Sequence, residues 1–120
     1  MKVAVSSQGR TLDSQVDPRF GRAAYFLLVE TETLEFTAIE NAGGQGGAGI
    51  AAGKIVIDAG AQAVLTGNCG PNAERTLRAG NVRLFTDVTG TVAEAVERFK
   101  NGTLVEASGP NVQSHAGTGN

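Results

Sequence analysis

Tryptophan is absent from the 120-residue chain, and cysteine, histidine, methionine and tyrosine occur once each. A single cysteine, Cys69, excludes an intrachain disulfide and a four-thiolate zinc or iron–sulfur site within one chain. Such sparing use fits a reducing, cytoplasmic setting. The one histidine, His115, lies near the end of the chain, so neither a Ser-His-Asp nor a Cys-His constellation is credible. Aromatic residues make up 5% of the chain, too few for a platform on which bases stack. The formal net charge of −2 lacks the basic excess of a nucleic-acid binder. No apolar run approaches a membrane span, and the Met1–Ser6 start is too short for a signal peptide. A soluble protein without nucleic-acid or membrane partners is expected.

What the chain has in excess is glycine. There are 17, about twice the usual share of roughly 7%, and six fall between Gly43 and Gly53. The length suits one domain with its own core. Lys2 to Val5 reads as a short apolar strand that belongs in the centre of a sheet. Ser6 to Arg19 is polar and turn-rich, a long loop of the sort that usually carries function. Ala24–Glu30 and the alternating Leu34–Glu40 run predict an antiparallel hairpin at a sheet edge. A helix is expected from Ala48 to Ala59, with Ile50, Ala51, Ile55 and Ala59 as its buried stripe. Gly49 and Gly53 weaken it by roughly 1 kcal/mol each relative to alanine, which signals close approach to the sheet or a ligand. Ala61–Leu65 and Val82–Thr86 are further strands, separated by a helix beginning near Ala73. Thr91-Val92-Ala93-Glu94 is a capping-box pattern opening an amphipathic helix with Val92, Ala95, Val96 and Phe99 on one face. Thr103–Glu106 has the composition of a short extra strand. The order predicts an α/β domain over 1–107: a five-stranded mixed sheet, antiparallel hairpin edge plus parallel strands, with three helices. Residues 108–120 read as a flexible tail.

In such a sheet the ligand crevice lies at the carboxyl ends of the parallel strands, where Ser6-Ser7 and Gly67-Asn68-Cys69 fall. The turn Gly67-Asn68-Cys69-Gly70-Pro71 joins a strand to a helix, where backbone N–H groups converge on anions. Cys69 there reads in two ways: a small buried hydrophobe, or a thiol of lowered pKa beside a helix N-terminus, near or bound to a soft metal. Ala48–Ile55 brushes against the phosphate-loop pattern but has alanine for the first glycine and Ile55 where Ser or Thr is required. The first strand carries no carboxylate, which argues against a two-metal nuclease. A thiol redox enzyme would lack a resolving cysteine.

Taken together, Met1-Lys2-Val3-Ala4-Val5, Asp17-Pro18-Arg19-Phe20-Gly21-Arg22-Ala23, the glycine-rich stretch and Gly67-Asn68-Cys69-Gly70-Pro71-Asn72-Ala73 resemble the dinitrogenase iron–molybdenum cofactor biosynthesis family. That family includes NifX, the cofactor-binding part of NafY and the carboxyl-terminal part of NifB, and the match covers roughly residues 1 to 107. The resemblance implies a ribonuclease-H-like fold and non-enzymatic binding or carriage of a metal–sulfur cluster. By size the chain is similar to the orange protein subgroup of sulfate-reducing bacteria, for which the implied cargo is a molybdenum–copper sulfide cluster held noncovalently. An iron–molybdenum cofactor precursor is the cargo implied by the wider family. Implied partners are cofactor assembly proteins and MinD-type ATPases; a metal-free interaction module for such an ATPase is the alternative reading. Some relatives carry histidine in the glycine-rich loop, where this chain has Gln45.

A sulfide cluster is polyanionic, and glycine-rich turns and helix N-termini present amides and a favourable dipole to it. The expected pocket lies between Asp17–Ala23, the Gly43–Gly47 loop and Gly67–Ala73. Its candidate residues are Arg19, Arg22, Gly43, Gly44, Gly46, Gly47, Asn68, Cys69 and Gly70, with Cys69 as the one candidate metal ligand. Arg19 and Arg22 supply weakly hydrated positive charge or are plain surface arginines. Phe20 is expected to be a packing anchor. Asn68 and Asn72 suit turn and cap hydrogen bonds, and His115 a solvated tail.

Overall fold

The order of elements is β1 (Lys2–Ser7), β2 (Tyr25–Glu30), β3 (Phe36–Glu40), α1 (Ala48–Asp58), β4 (Ala63–Leu65), α2 (Pro71–Ala79), β5 (Arg83–Phe85) and α3 (Val92–Lys100). The structure is a computed structural model describing residues 1–41 and 48–110. Gly43, Gly44, Gly46, Gly47, His115 and most of the expected tail lie outside the described residues.

The five strands form one sheet in the order β3-β2-β1-β4-β5. β1 sits at its centre, antiparallel to β2 through pairs such as Val5↔Leu27 and parallel to β4 through Val5↔Leu65. β2 and β3 form the antiparallel edge, and β4 and β5 run parallel. The mixed sheet with three helices is therefore as expected.

Alternation along the strands divides the core in two. Ala4, Phe26, Val64 and Leu84 face α1 and α2, against Ala52, Val56, Ala73 and Leu77. Val3, Val5, Leu27, Val29, Leu65 and Phe85 face the other way, against Val92, Ala95 and Val96 of α3. Each fully buried side chain of this size stabilises the fold by about 1.5–3 kcal/mol. The capping box forms: Thr91 Oγ1 accepts from the Glu94 N–H at 3.1 Å, and Glu94 Oε1 accepts from the Thr91 N–H at 2.9 Å.

Four boundaries and faces differ from expectation. β1 continues through Ser6 and Ser7 because the polar segment after it pairs back, with Asp17 N–H donating to the Ser6 carbonyl at 2.8 Å. α2 begins at Pro71 rather than Ala73, since the proline ring suits a first helical position that needs no N–H donor. The buried face of α1 is Ala52, Gly53 and Val56, while Ile50 is 40% exposed. Its glycines serve a second helix rather than the sheet. A Cβ on Gly53 would lie 2.7 Å from Thr76 Cγ2, and one on Gly49 would lie 3.1 Å from the Ala73 nitrogen. α1 and α2 thus touch almost backbone to backbone. Finally, the Thr103–Glu106 run forms only an isolated bridge, Phe85↔Glu106.

Among the described residues no helix is long and apolar enough to cross a membrane.

Candidate functional site

At the carboxyl ends of β1 and β4 a small polar network replaces the apolar core. Ser6 and Thr66 are fully buried. Ser6 Oγ donates to the Asp17 carbonyl at 2.7 Å and shares a 2.7 Å hydrogen bond with Thr66 Oγ1. The buried Asp17 accepts the Arg19 N–H on Oδ1 at 2.9 Å. That bond turns the chain at Pro18 and aims Arg19 outward. Phe20 then anchors the segment, 1% exposed and packed on Phe26 with ring centroids 5.1 Å apart.

From this anchor two of the three expected segments, Asp17–Ala23 and Gly67–Ala73, meet through backbone; the third, the Gly43–Gly47 loop, lies outside the described residues. Phe20 N–H donates to the Asn68 carbonyl at 3.1 Å, and Arg19 forms a parallel bridge with Asn68. Gly67 lies flat on Pro18: a Cβ there would sit 2.7 Å from Pro18 Cα and 2.8 Å from its carbonyl oxygen. Gly21 lies against the first turn of α1, 3.2 Å from the Gly49 nitrogen by the same measure. Gly49 in turn meets Ala73 in the first turn of α2. The Asp17–Ala23 segment, the Gly67–Ala73 turn and the start of α1 are therefore one continuous surface.

The helix N-termini differ in what they offer. α3 is closed by its capping box, and the Val92 and Ala93 N–H groups donate to the Ser14 and Leu12 carbonyls at 2.9 and 3.0 Å. α2 starts from Gly70 with no side-chain cap, and the first turn of α1 has no acidic residue. Two helix dipoles thus point their positive ends at the same junction. Glu74 opposes this within the first turn of α2, but it is buried and paired with Arg78 one turn on.

Arg19 has an exposed guanidinium, with Nε 3.6 Å from Asp17 Oδ1, and Arg22 is exposed too. Asn68 and Gly70 are half-buried. Cys69 is 1% exposed, packed in the cluster of Phe20, Ala52 and Ala73. Burial, with the neighbouring Glu74 charge, pushes its thiol up to about 12. The expected lowering is reversed, because removing the sulfur from water outweighs the helix dipole. At neutral pH Cys69 is a protonated thiol on the core side of the turn.

The sequence put Ser6, Asp17, Gly21 and Gly67 in the right segments; what it did not give was their contacts, nor the part of the buried Thr66 in the hydroxyl network. Their signal was available in part: a proline and a glycine in segments that must touch, and hydroxyls where β1 and β4 end. A groove of about 510 Å³ lies elsewhere, between α2 and β5, floored by Leu77, Val82 and Leu84. Its rim charges are matched as Glu74–Arg78 and Arg83–Glu106 pairs.

The profile of the dinitrogenase iron-molybdenum cofactor family matches residues 1–102. This chain belongs to that family. Among solved structures, the apo orange protein from Desulfovibrio gigas is 39% identical, with a TM-score of 0.90 over 92% of this chain and 96% of that one. A candidate NifB protein from Thermotoga is 34% identical, with a TM-score of 0.74 over 88% and 91% of the two chains. An uncharacterised protein of Methanocaldococcus jannaschii is 27% identical over 97 residues, 77% of this chain and 82% of its own.

Proposed function

We propose that the chain is a non-enzymatic binder or carrier of a polyanionic metal–sulfur cluster, held at the junction of Asp17–Ala23, Gly67–Ala73 and the start of α1. The cargo is a molybdenum–copper sulfide cluster or an iron–molybdenum–sulfur precursor. One observation carries the reading: glycine contacts bring the first turns of α1 and α2 and the Asp17–Ala23 segment together, and that segment holds the exposed Arg19 and Arg22.

The donor set fits a cluster held by hydrogen bonds. Among the described residues no group of three or more His, Cys, Asp and Glu is placed to hold a metal ion. Amides of the α1 and α2 first turns donate to sulfide, and Arg19 and Arg22 neutralise charge. Gly43, Gly44, Gly46 and Gly47, outside the described residues, immediately precede α1 in the sequence and are the further candidates. Cys69 serves as an anchor only after losing its proton to a soft metal. The strand order supports a ribonuclease-H-like scaffold used for binding. Carriage requires delivery, so cofactor assembly proteins are the partner class; association with a MinD-type ATPase is its narrower form.

Reconstitution tests this. Tetrathiomolybdate with copper(I), or an iron–sulfur precursor, added to the apo protein should give visible charge-transfer bands and shift the amide resonances of Arg22 and Cys69. Absence of both effects overturns the proposal. Replacing Arg19 and Arg22 by alanine should weaken binding more at low salt than at high. Binding that survives Cys69→Ala assigns the hold to amides; binding lost in that variant with the fold intact makes the sulfur a ligand. A pull-down of an ATPase partner indifferent to metal would favour the interaction-module alternative.

A further inference from the structure

The β3 edge lies at the other end of the sheet from β5, and its composition is one-sided. From residue 23 to residue 53 there is no lysine or arginine, while Glu30, Glu32, Glu35 and Glu40 all fall there. Glu30 pairs with the terminal amine of Met1, and Glu40 with Arg10. Glu32 and Glu35, both exposed, have no ion pair among the described residues.

Hydrogen bonding fixes which backbone groups the edge presents. Glu30 N–H donates to the Glu35 carbonyl and Asn41 N–H to the Ala24 carbonyl. In an antiparallel pair such bonds alternate. Residues 35, 37, 39 and 41 therefore bond to β2, and Phe36, Ala38 and Glu40 direct their N–H and C=O groups away from it. Among the described residues no strand lies beyond β3. β3 contains no lysine, proline or bulge, and the charge on it is a carboxylate, Glu40. Phe36 is 41% exposed, and Leu34 is 43% exposed at φ 64°. A leucine held in the left-handed region costs about 1–2 kcal/mol that glycine would avoid. An apolar residue kept there, beside an exposed phenylalanine, suits contact with a partner.

We infer that the β3 edge docks an extended segment of a partner protein, adding a sixth strand. The face containing α3 presents Phe36, Ala38 and Glu40; the face containing α1 presents Glu35, Thr37 and Ile39. The complementary segment, read opposite residues 35 to 40, is basic, apolar, β-branched polar, apolar, apolar, basic. A second copy of this chain fits poorly, because it brings the same carboxylates to the seam, and the arginine near them, Arg10, is already paired with Glu40. The acidic edge repels nucleic acid likewise.

The probe is the hexapeptide Lys-Val-Thr-Val-Val-Lys with blocked ends, titrated into nitrogen-15-labelled protein. The amide resonances of Phe36, Ala38 and Glu40 should shift and their hydrogen exchange slow. A peptide with glutamate for both lysines should bind about tenfold more weakly. Ala38→Pro removes one outward N–H and should abolish binding. Glu35→Lys with Glu40→Lys, both exposed and opposite the two peptide lysines, should turn the preference toward the glutamate peptide. Equal binding of both peptides, shifts confined to other elements, or an unchanged preference in the double variant would overturn the inference. So would concentration-dependent shifts of the same three amides without peptide, which would identify self-association.

Discussion

Gly67→Ala adds one methyl group at the seam between the Asn68 turn and the Pro18 segment. The new Cβ would stand 2.7 Å from Pro18 Cα and 2.8 Å from the Pro18 carbonyl oxygen, against an ordinary contact of about 3.5–4.0 Å. Both obstacles are backbone, so no side chain can rotate away. The Pro18 segment is pinned on either side by the Asp17 contacts with Ser6 and by Phe20 in the core. Relief must come from a shift of about 1 Å in one of the two segments, which overpacking data put at 1–3 kcal/mol. For a domain of this size that is a fall in Tm of roughly 4–12 °C. Gly109→Ala is the control, because nothing lies within 4 Å of its Cβ, and it should stay within about 0.5 kcal/mol of wild type. Urea denaturation measures both. A Gly67→Ala midpoint equal to that of Gly109→Ala would refute the close apposition on which the junction rests.

Alkaline titration gives a second check on Cys69. The unfolded thiol ionises near its ordinary value of 9.0, whereas the folded protein holds the proton to about 12. Its contribution is whole below pH 9 and falls as pH rises toward 12, by up to about 4 kcal/mol; the wild type minus Cys69→Ala difference in urea stability isolates it, and a pH-independent difference would contradict the burial. Phe20→Ala should cost about 3–5 kcal/mol and loosen the Arg19–Asn68 bridge, seen as faster amide exchange at Phe20. Thr91→Ala should destabilise by about 1 kcal/mol. The Glu94 carboxyl is held below the usual range chiefly by the Thr91 N–H and hydroxyl, so its contribution is present above the ordinary carboxylate pKa and lost as pH falls; the variant's acid unfolding limb should be flatter. Arg22→Ala should leave Tm unchanged, the side chain being exposed, and weaken cluster binding only at low salt.

Periodicity made most of the fold legible. The hairpin, the strand–helix alternation and α3 follow from patterns that side chains alone enforce. The errors arose where glycine does the packing. Ile50 looked like part of the buried stripe of α1 because hydropathy ignores a residue without a side chain, yet it is exposed and Gly53 lies on the buried face, while Ile55 packs half-buried against the core. Two segments of the junction were readable, since Pro18, Phe20 and Gly67 each carry a local signal. Which atoms touch was not, because the contacts are backbone to backbone and no residue identity encodes them. Cys69 shows the complementary failure. Its position before a helix is plain in the sequence, but the depth of burial that sets its protonation depends on Phe20, Ala52 and Ala73 arriving from elsewhere.

The central place of β1 also has a kinetic side. Val3 pairs with Val29 on one side and with Ala63 on the other, so the ribosome completes β1, β2 and β3 well before β4 exists. Until then the Val3–Val5 edge, apolar and lacking any gatekeeping charge, stands open as a template for another chain. The parallel pairing that closes it spans about sixty residues and is slow to form. Nascent chains stalled short of Ala63 are the species most prone to aggregate, and the step that brings β4 to β1 sets how long each molecule depends on chaperones.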